Sequence, residues 1–176
     1  MKYLDEQLAV WVVDQSKQMK DSTNPFAVRK KSSVLVLNNH WLLEWRIDEV
    51  DTACKAVRRL LRIGDTENTK HRDSLLAKPT CSLLAPIADL FFTAEEVEPT
   101  DDELYDGEAD QFPCIIYKWD RNKRTQYCSL YYSIMESVIE EPASTYVYAD
   151  NFALIFISNA DGKKLGYLAS TDRIKT

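Results

Sequence analysis

The side chains that most often carry out chemistry are few here, and their spacing matches no familiar site. The two histidines, His40 and His71, stand apart, and no HExxH helix or nucleophile motif includes either. The four cysteines, Cys54, Cys81, Cys114 and Cys128, form no CxxC pair, so zinc-ribbon and thioredoxin-like chemistry lack their spacing. Each lies among apolar neighbours, where a free thiol behaves as a small hydrophobe. Four glycines, Gly64, Gly107, Gly162 and Gly166, give neither a Walker loop nor a dinucleotide fingerprint. Both loops need closely spaced glycines so that backbone N–H groups can approach phosphate. A calcium-loop frame around Gly107 puts Asp102 first and Asp106 fifth. It also puts Leu104 third and Pro113 twelfth, where oxygen ligands are required. No residue set qualifies as catalytic, and the sequence asks for no cofactor and no metal.

What is concentrated is charge. The chain has 22 basic and 28 acidic residues, a net charge of −6. Residues 94–110, AEEVEPTDDELYDGEAD, hold nine acids and no Lys or Arg: Glu95, Glu96, Glu98, Asp101, Asp102, Glu103, Asp106, Glu108 and Asp110. Taking these nine from the 28 leaves 19 acids against 22 basic residues, so the rest of the chain is net +3. Nine like charges repel one another and resist packing, which predicts an acidic loop or insertion at 94–110. Tyr105, with Leu104 and Val97, supplies apolar anchors inside the run. Such anchors give affinity where charge alone gives steering. These ten residues, the nine acids and Tyr105, are the candidate protein-binding site, and a basic protein is the partner they fit.

A second pattern follows directly. Residues 114–133 interleave Tyr117, Trp119, Tyr127, Tyr131 and Tyr132 with Lys118, Arg121, Lys123 and Arg124. Aromatics that stack on bases beside cations that hold phosphate form a single-strand nucleic-acid surface. The alternative site is therefore Tyr117, Lys118, Trp119, Arg121, Lys123 and Arg124, joined by Arg58, Arg59 and Arg62. The acidic segment precedes this hairpin, and is expected to lie across Arg121, Lys123 and Arg124 and mask them.

The elements that position these groups read as α+β, mainly an antiparallel sheet packed with two or three helices from the N-terminal half. Residues 3–20 read as a helix, with Leu4, Leu8, Trp11, Val12 and Met19 on one face. Residues 21–32 read as a connection through Asn24-Pro25. Two apolar runs flank Asn38, Asn39 and His40 as a hairpin. Residues 48–63 read as the clearest helix, with Asp48 as N-cap and Gly64 just past its end. Arg58, Arg59 and Arg62 then fall in its C-terminal half, where the helix dipole favours cations. Residues 81–92 read as a short buried helix. Strands are expected at 114–119, 124–133, 145–149, 152–158 and 164–170, the last three as a meander.

The whole chain, 1–176, reads as one domain. No apolar run is long enough to span a bilayer, and Asp5 and Glu6 stand where a signal peptide needs basic and then apolar residues. The absence of any N-x-S/T acceptor and of cysteine motifs points to an intracellular setting, cytoplasmic or nuclear, with no membrane partner. An interaction protein is the first expectation: a complex subunit, an adaptor, or an immunity or antagonist-type inhibitor. A nucleic-acid-binding module is the second.

Overall fold

A computed structural model describes residues 1–18, 24–66, 94–99, 114–120, 123–148 and 152–171. The fold is α+β, as the sequence predicts. Helix α1 spans Glu6–Ser16, and the Asp5 side chain caps it by accepting from the Leu8 N–H at 2.8 Å. Ala9, Val12 and Ser16 recur at helical spacing and are buried.

Strands β1 (Phe26–Arg29), β2 (Ser33–Leu37) and β3 (Trp41–Arg46) form an antiparallel meander. The β2–β3 turn forms where Asn38-Asn39-His40 predicts it. The Asn38 side-chain oxygen accepts from the His40 and Trp41 N–H groups, a local bond that fixes the register. β1 lies inside the stretch expected as a connection. Four residues carry too little periodicity to announce a strand, and the pairing with β2 decides it.

A 3-10 turn at Ile47–Glu49 follows, and α2 runs Lys55–Thr66. The helix therefore starts later than the expected 48–63. Val50 is taken by a bridge to Leu4. Asp51, instead of sitting inside the helix, turns the chain into it by accepting from the Ala53 and Cys54 N–H groups. Gly64 lies within α2 and not past its end. A Cβ there would stand 2.0 Å from the Ala27 carbonyl oxygen, so the glycine lets α2 lie directly on the β1 backbone.

Strand β4 is Ala94–Pro99, β5 is Cys114–Asp120 and β6 is Lys123–Cys128. Helix α3, Ser129–Val138, occupies what reads in the sequence as the continuation of a strand to residue 133. Its buried residues Tyr131, Ile134, Met135 and Val138 follow a helical period that shows only when the window reaches Val138. So one of the three described helices comes from the C-terminal half. The expected helix at 81–92 lies outside the described residues.

Strands β7 (Ala143–Tyr148), β8 (Leu154–Ser158) and β9 (Lys164–Leu168) form the predicted C-terminal meander. Among the described residues, nine strands run in the order β1-β2-β3-β9-β8-β7-β4-β5-β6, every pair antiparallel.

The core has two parts, one on each face of the sheet. Val34, Val36, Leu154 and Phe156 join the cluster that includes α1 and α3 residues. Leu35, Leu37, Ile155 and Ile157 alternate to the other face with Phe26 and Tyr167. The unbroken apolar runs of β2 and β8 are thus buried on both sides, which is why they do not alternate with polar residues. Cys54, Cys114 and Cys128 are free thiols. Cys114 and Cys128 stand opposite each other on β5 and β6.

Candidate interaction surfaces

The acidic segment does not begin as a loop. Its first six residues are β4, hydrogen-bonded to β7 on one side and β5 on the other. Backbone pairing on both edges offsets the poor strand propensity of three glutamates. Glu95 stands opposite Val147, Glu96 opposite Tyr146, and Glu98 opposite Lys118. The β4–β5 pairing thereby brings the start of the acidic run beside the basic hairpin. Asp101, Asp102, Glu103, Tyr105, Asp106, Glu108 and Asp110 lie outside the described residues, as does Arg121. So does the contact expected between those acids and Arg121.

The hairpin itself is β5–β6, shorter than expected because α3 takes over at Ser129. Lys118 pairs in register with Arg124 and Asp120 with Lys123, leaving Trp119 at a bulge. The aromatics are mostly core. Tyr117 is fully buried, meets Tyr127 edge to face at 5.6 Å and donates to the Tyr132 hydroxyl at 2.8 Å. Burial pushes the Tyr117 and Tyr132 hydroxyls above the ordinary tyrosine range. Tyr127 donates to the Phe152 carbonyl, and Tyr131 is buried in α3 with His40 stacked on its ring. Tyr117, Tyr127, Tyr131 and Tyr132 therefore offer no open ring face to a nucleobase.

Sequence reasoning attributes the α2 arginines to the helix dipole, and here the structure differs. With α2 starting at Lys55, its last turn holds no basic residue and its first turn no acid. Lys55 opens the helix and Arg58 follows one turn later, toward the end where the dipole disfavours cations. Lys55, Arg58, Arg59 and Arg62 are all exposed, and their 3-4 spacing sets them on one face over about 10 Å. Carboxylates cap the approach to the helix and its first turn. Glu6 of α1 accepts from the Ala56 N–H at 2.7 Å, and Asp51 takes those of Ala53 and Cys54.

A groove of about 470 Å³ runs between α1 and α2 beside this ridge. Its floor is aliphatic, formed by Ala9, Val13, Leu60 and Ile63, and Lys55 and Arg59 stand on its α2 wall. The α1 wall carries Glu6, Asp14 and Lys17, the last two 3.6 Å apart, and Val10, which is 45% exposed. Asn24, Lys55, Arg59 and Ile63 also line a second hollow that continues to Arg58 and Arg62. The signal for this surface lay in the sequence as the i, i+3, i+4, i+7 spacing of four cations.

Elsewhere, Lys164 is buried on β9, and desolvation holds its ammonium below the ordinary lysine range. The N-terminal ammonium meets Glu141 at 2.9 Å, and Ser158 donates to the same carboxylate at 2.6 Å. Among the described residues, no cluster of three metal-ligating side chains occurs, and no helix is long and apolar enough to cross a membrane. Comparison of the chain with protein-family models, with curated proteins and with solved structures finds no match.

Proposed function

We propose that this protein is a non-enzymatic interaction module, of the subunit, adaptor or immunity-inhibitor kind, that docks a basic partner protein through its acidic segment. The observation that carries this reading is how the segment is tethered. β4 and β5 are neighbours in the sheet, with Pro99 opposite Tyr117, yet residues 100–113 join them. Adjacent antiparallel strands need only about two to five connecting residues. The excess length carries six acids and Tyr105 between two ends pinned to the sheet. Long connections held by a rigid scaffold are where binding residues concentrate. Pinning the ends also lowers the ordering cost that a free acidic tail would meet on binding.

The test is affinity capture from native lysate, with and without nuclease treatment, eluted by a salt step. One bait is the full chain. The other carries Asp101, Asp102, Asp106 and Asp110 changed to Asn and Glu103 and Glu108 changed to Gln. A stoichiometric basic protein captured by the first and lost by the second is the expected result. Equal capture by both baits would overturn the reading. Capture abolished by nuclease would move it to nucleic acid.

A further inference from the structure

We infer that Cys114 and Cys128 form a reversible disulfide, a redox-sensitive staple that locks the base of the β5–β6 hairpin where β6 passes into α3. The inference stands apart from the proposed docking role, because it concerns one rung of the sheet and its test involves no partner.

The strand register carries it. Cys114 opens β5, and Cys128 closes β6 and stands at the N-cap of α3. The two are directly opposite, and the ladder continues in step from Ile115–Tyr127 to Lys118–Arg124. Its irregularity lies at the far end, between Lys118 and Asp120. Directly opposed residues of an antiparallel pair have Cα atoms about 4.5–5.5 Å apart and side chains on one face. A disulfide spans Cα separations of about 4.4–6.8 Å, so the bridge fits without a change of register. The Cβ atoms must close by less than about 1 Å, and the pair is the last rung of the ladder, where backbone adjusts most readily. Both side chains are buried, Cys114 9% and Cys128 4% exposed, and Cys128 belongs to the apolar core. Each sulfur therefore meets the other at far higher effective concentration than it meets thiols in solution.

The oxidant is a low-molecular-weight disulfide such as oxidised glutathione. As the last rung opens, one cysteine thiolate attacks a glutathione sulfur, forming a mixed disulfide and expelling a glutathione thiolate. The other cysteine, as thiolate, then attacks the protein-bound sulfur of that mixed disulfide and expels the second glutathione. Two cysteine sulfurs are oxidised and two glutathione sulfurs reduced. The two protons lost by the cysteines are taken up by the departing thiolates. The link closes the hairpin from 114 to 128 and stabilises the fold by restricting the unfolded chain.

The test incubates the full chain, without denaturant, in a series of reduced-to-oxidised glutathione ratios. Acid quenching, alkylation, digestion and mass spectrometry then locate every link. The oxidised chain is expected to lose about 2 Da, with the peptides bearing Cys114 and Cys128 joined, and to regain it in dithiothreitol. Its Tm should rise by about 5–10 °C, the effect of closing a loop of about 15 residues in a chain of this size. Cys128→Ser, whose hydroxyl suits an N-cap, should abolish both the link and the shift, and Cys54→Ser should abolish neither. Linkage through Cys54 or Cys81 in place of this pair, glutathione adducts with no cross-link, or Cys114 and Cys128 staying open to alkylation at every ratio would overturn the inference. So would a link that leaves Tm unchanged or lowers it, which would mark a strained bridge and not a staple. Links and Tm are read on the parent chain first, so the outcome stands even if Cys128→Ser fails to fold.

Discussion

Gly64→Ala isolates the contact that seats α2, and with it the ridge and groove. Two effects oppose each other. Alanine raises helix propensity by about 1 kcal/mol over glycine. Against this, the new Cβ would stand 2.0 Å from the Ala27 carbonyl oxygen and 3.0 Å from its carbon. A comfortable carbon–oxygen approach is about 3.3 Å, so helix and strand must part by roughly 1 Å. Both partners of the clash are backbone, and neither can rotate away. A gap of that size forfeits about a quarter to a half of each packing contact across the seam. Overpacking of this severity costs about 3 kcal/mol, the upper part of the usual range. The expected net loss is about 2 kcal/mol, or a fall in Tm of roughly 4–8 °C for a chain of this size. Urea unfolding followed by circular dichroism should show a lower midpoint at an unchanged slope. Gly166→Ala is the control. Its Cβ would meet the Met135 sulfur at 3.1 Å and a Leu43 methyl at 3.2 Å, both the far ends of flexible side chains. That variant should lose less than about 1 kcal/mol. If Gly64→Ala proved as stable as the parent, α2 would not lie on β1 as described, and the groove would lose its geometry.

Two titrating contacts give further predictions. Glu141 accepts from Ser158 and faces the N-terminal ammonium, and both hold its carboxyl below the ordinary carboxylate range. A depressed folded pKa stabilises the protein above the unfolded value of about 4.3, and that stability is lost as pH falls through the folded value. Glu141→Gln should therefore cost about 1 kcal/mol at neutral pH, the size of a partly exposed pair, and flatten the acid limb of stability against pH. An unchanged acid limb would refute the linkage. Tyr117 presents the reverse sign, because burial and the Tyr132 hydroxyl raise its pKa. Its contribution is complete below the unfolded value of about 10 and declines as pH rises beyond it. Tyr117→Phe should lose about 1–2 kcal/mol at pH 7 by leaving Tyr132 without that donor, yet lose less than the parent on further alkalinisation. Parallel alkaline curves for the two proteins would count against the buried pair.

The elements that were legible in the sequence are those fixed by local chemistry. Asn38 folds its side-chain oxygen onto the His40 and Trp41 amides of the β2–β3 turn, and Asp5 caps α1. The β7–β8–β9 meander follows from short apolar runs and the turn at Gly162, whose φ of +68° suits glycine. The elements that were not legible depend on contacts distant in sequence. β1 exists because β2 pairs with it and α2 lies across it. β4 exists because β7 and β5 hold both its edges, which outweighs its acidic composition. The aromatic alternation at 127–132 hides the start of α3, since Tyr131 and Tyr132 fit a strand until Met135 and Val138 are included. For the same reason the aromatic-basic hairpin looked like a base-stacking surface. Composition reports that tyrosines are present, and only packing reports that Tyr117 and Tyr127 point inward.

The basic ridge shows how one misplaced boundary reverses an electrostatic argument. If the helix ran from Asp48 to Ile63, Arg58, Arg59 and Arg62 would sit in its C-terminal half, and the dipole would account for them at a gain of about 0.3–1 kcal/mol each. The bridge between Leu4 and Val50 holds the chain extended there, and Asp51 delays the helix to Lys55. The same arginines then fall in the first and middle turns. The dipole term changes sign for Lys55 and Arg58, and the favourable reason for the cluster disappears. What remains is a row of like charges, Lys55, Arg58, Arg59 and Arg62, on the exposed face of α2, beside a groove whose α1 wall carries Glu6 and Asp14.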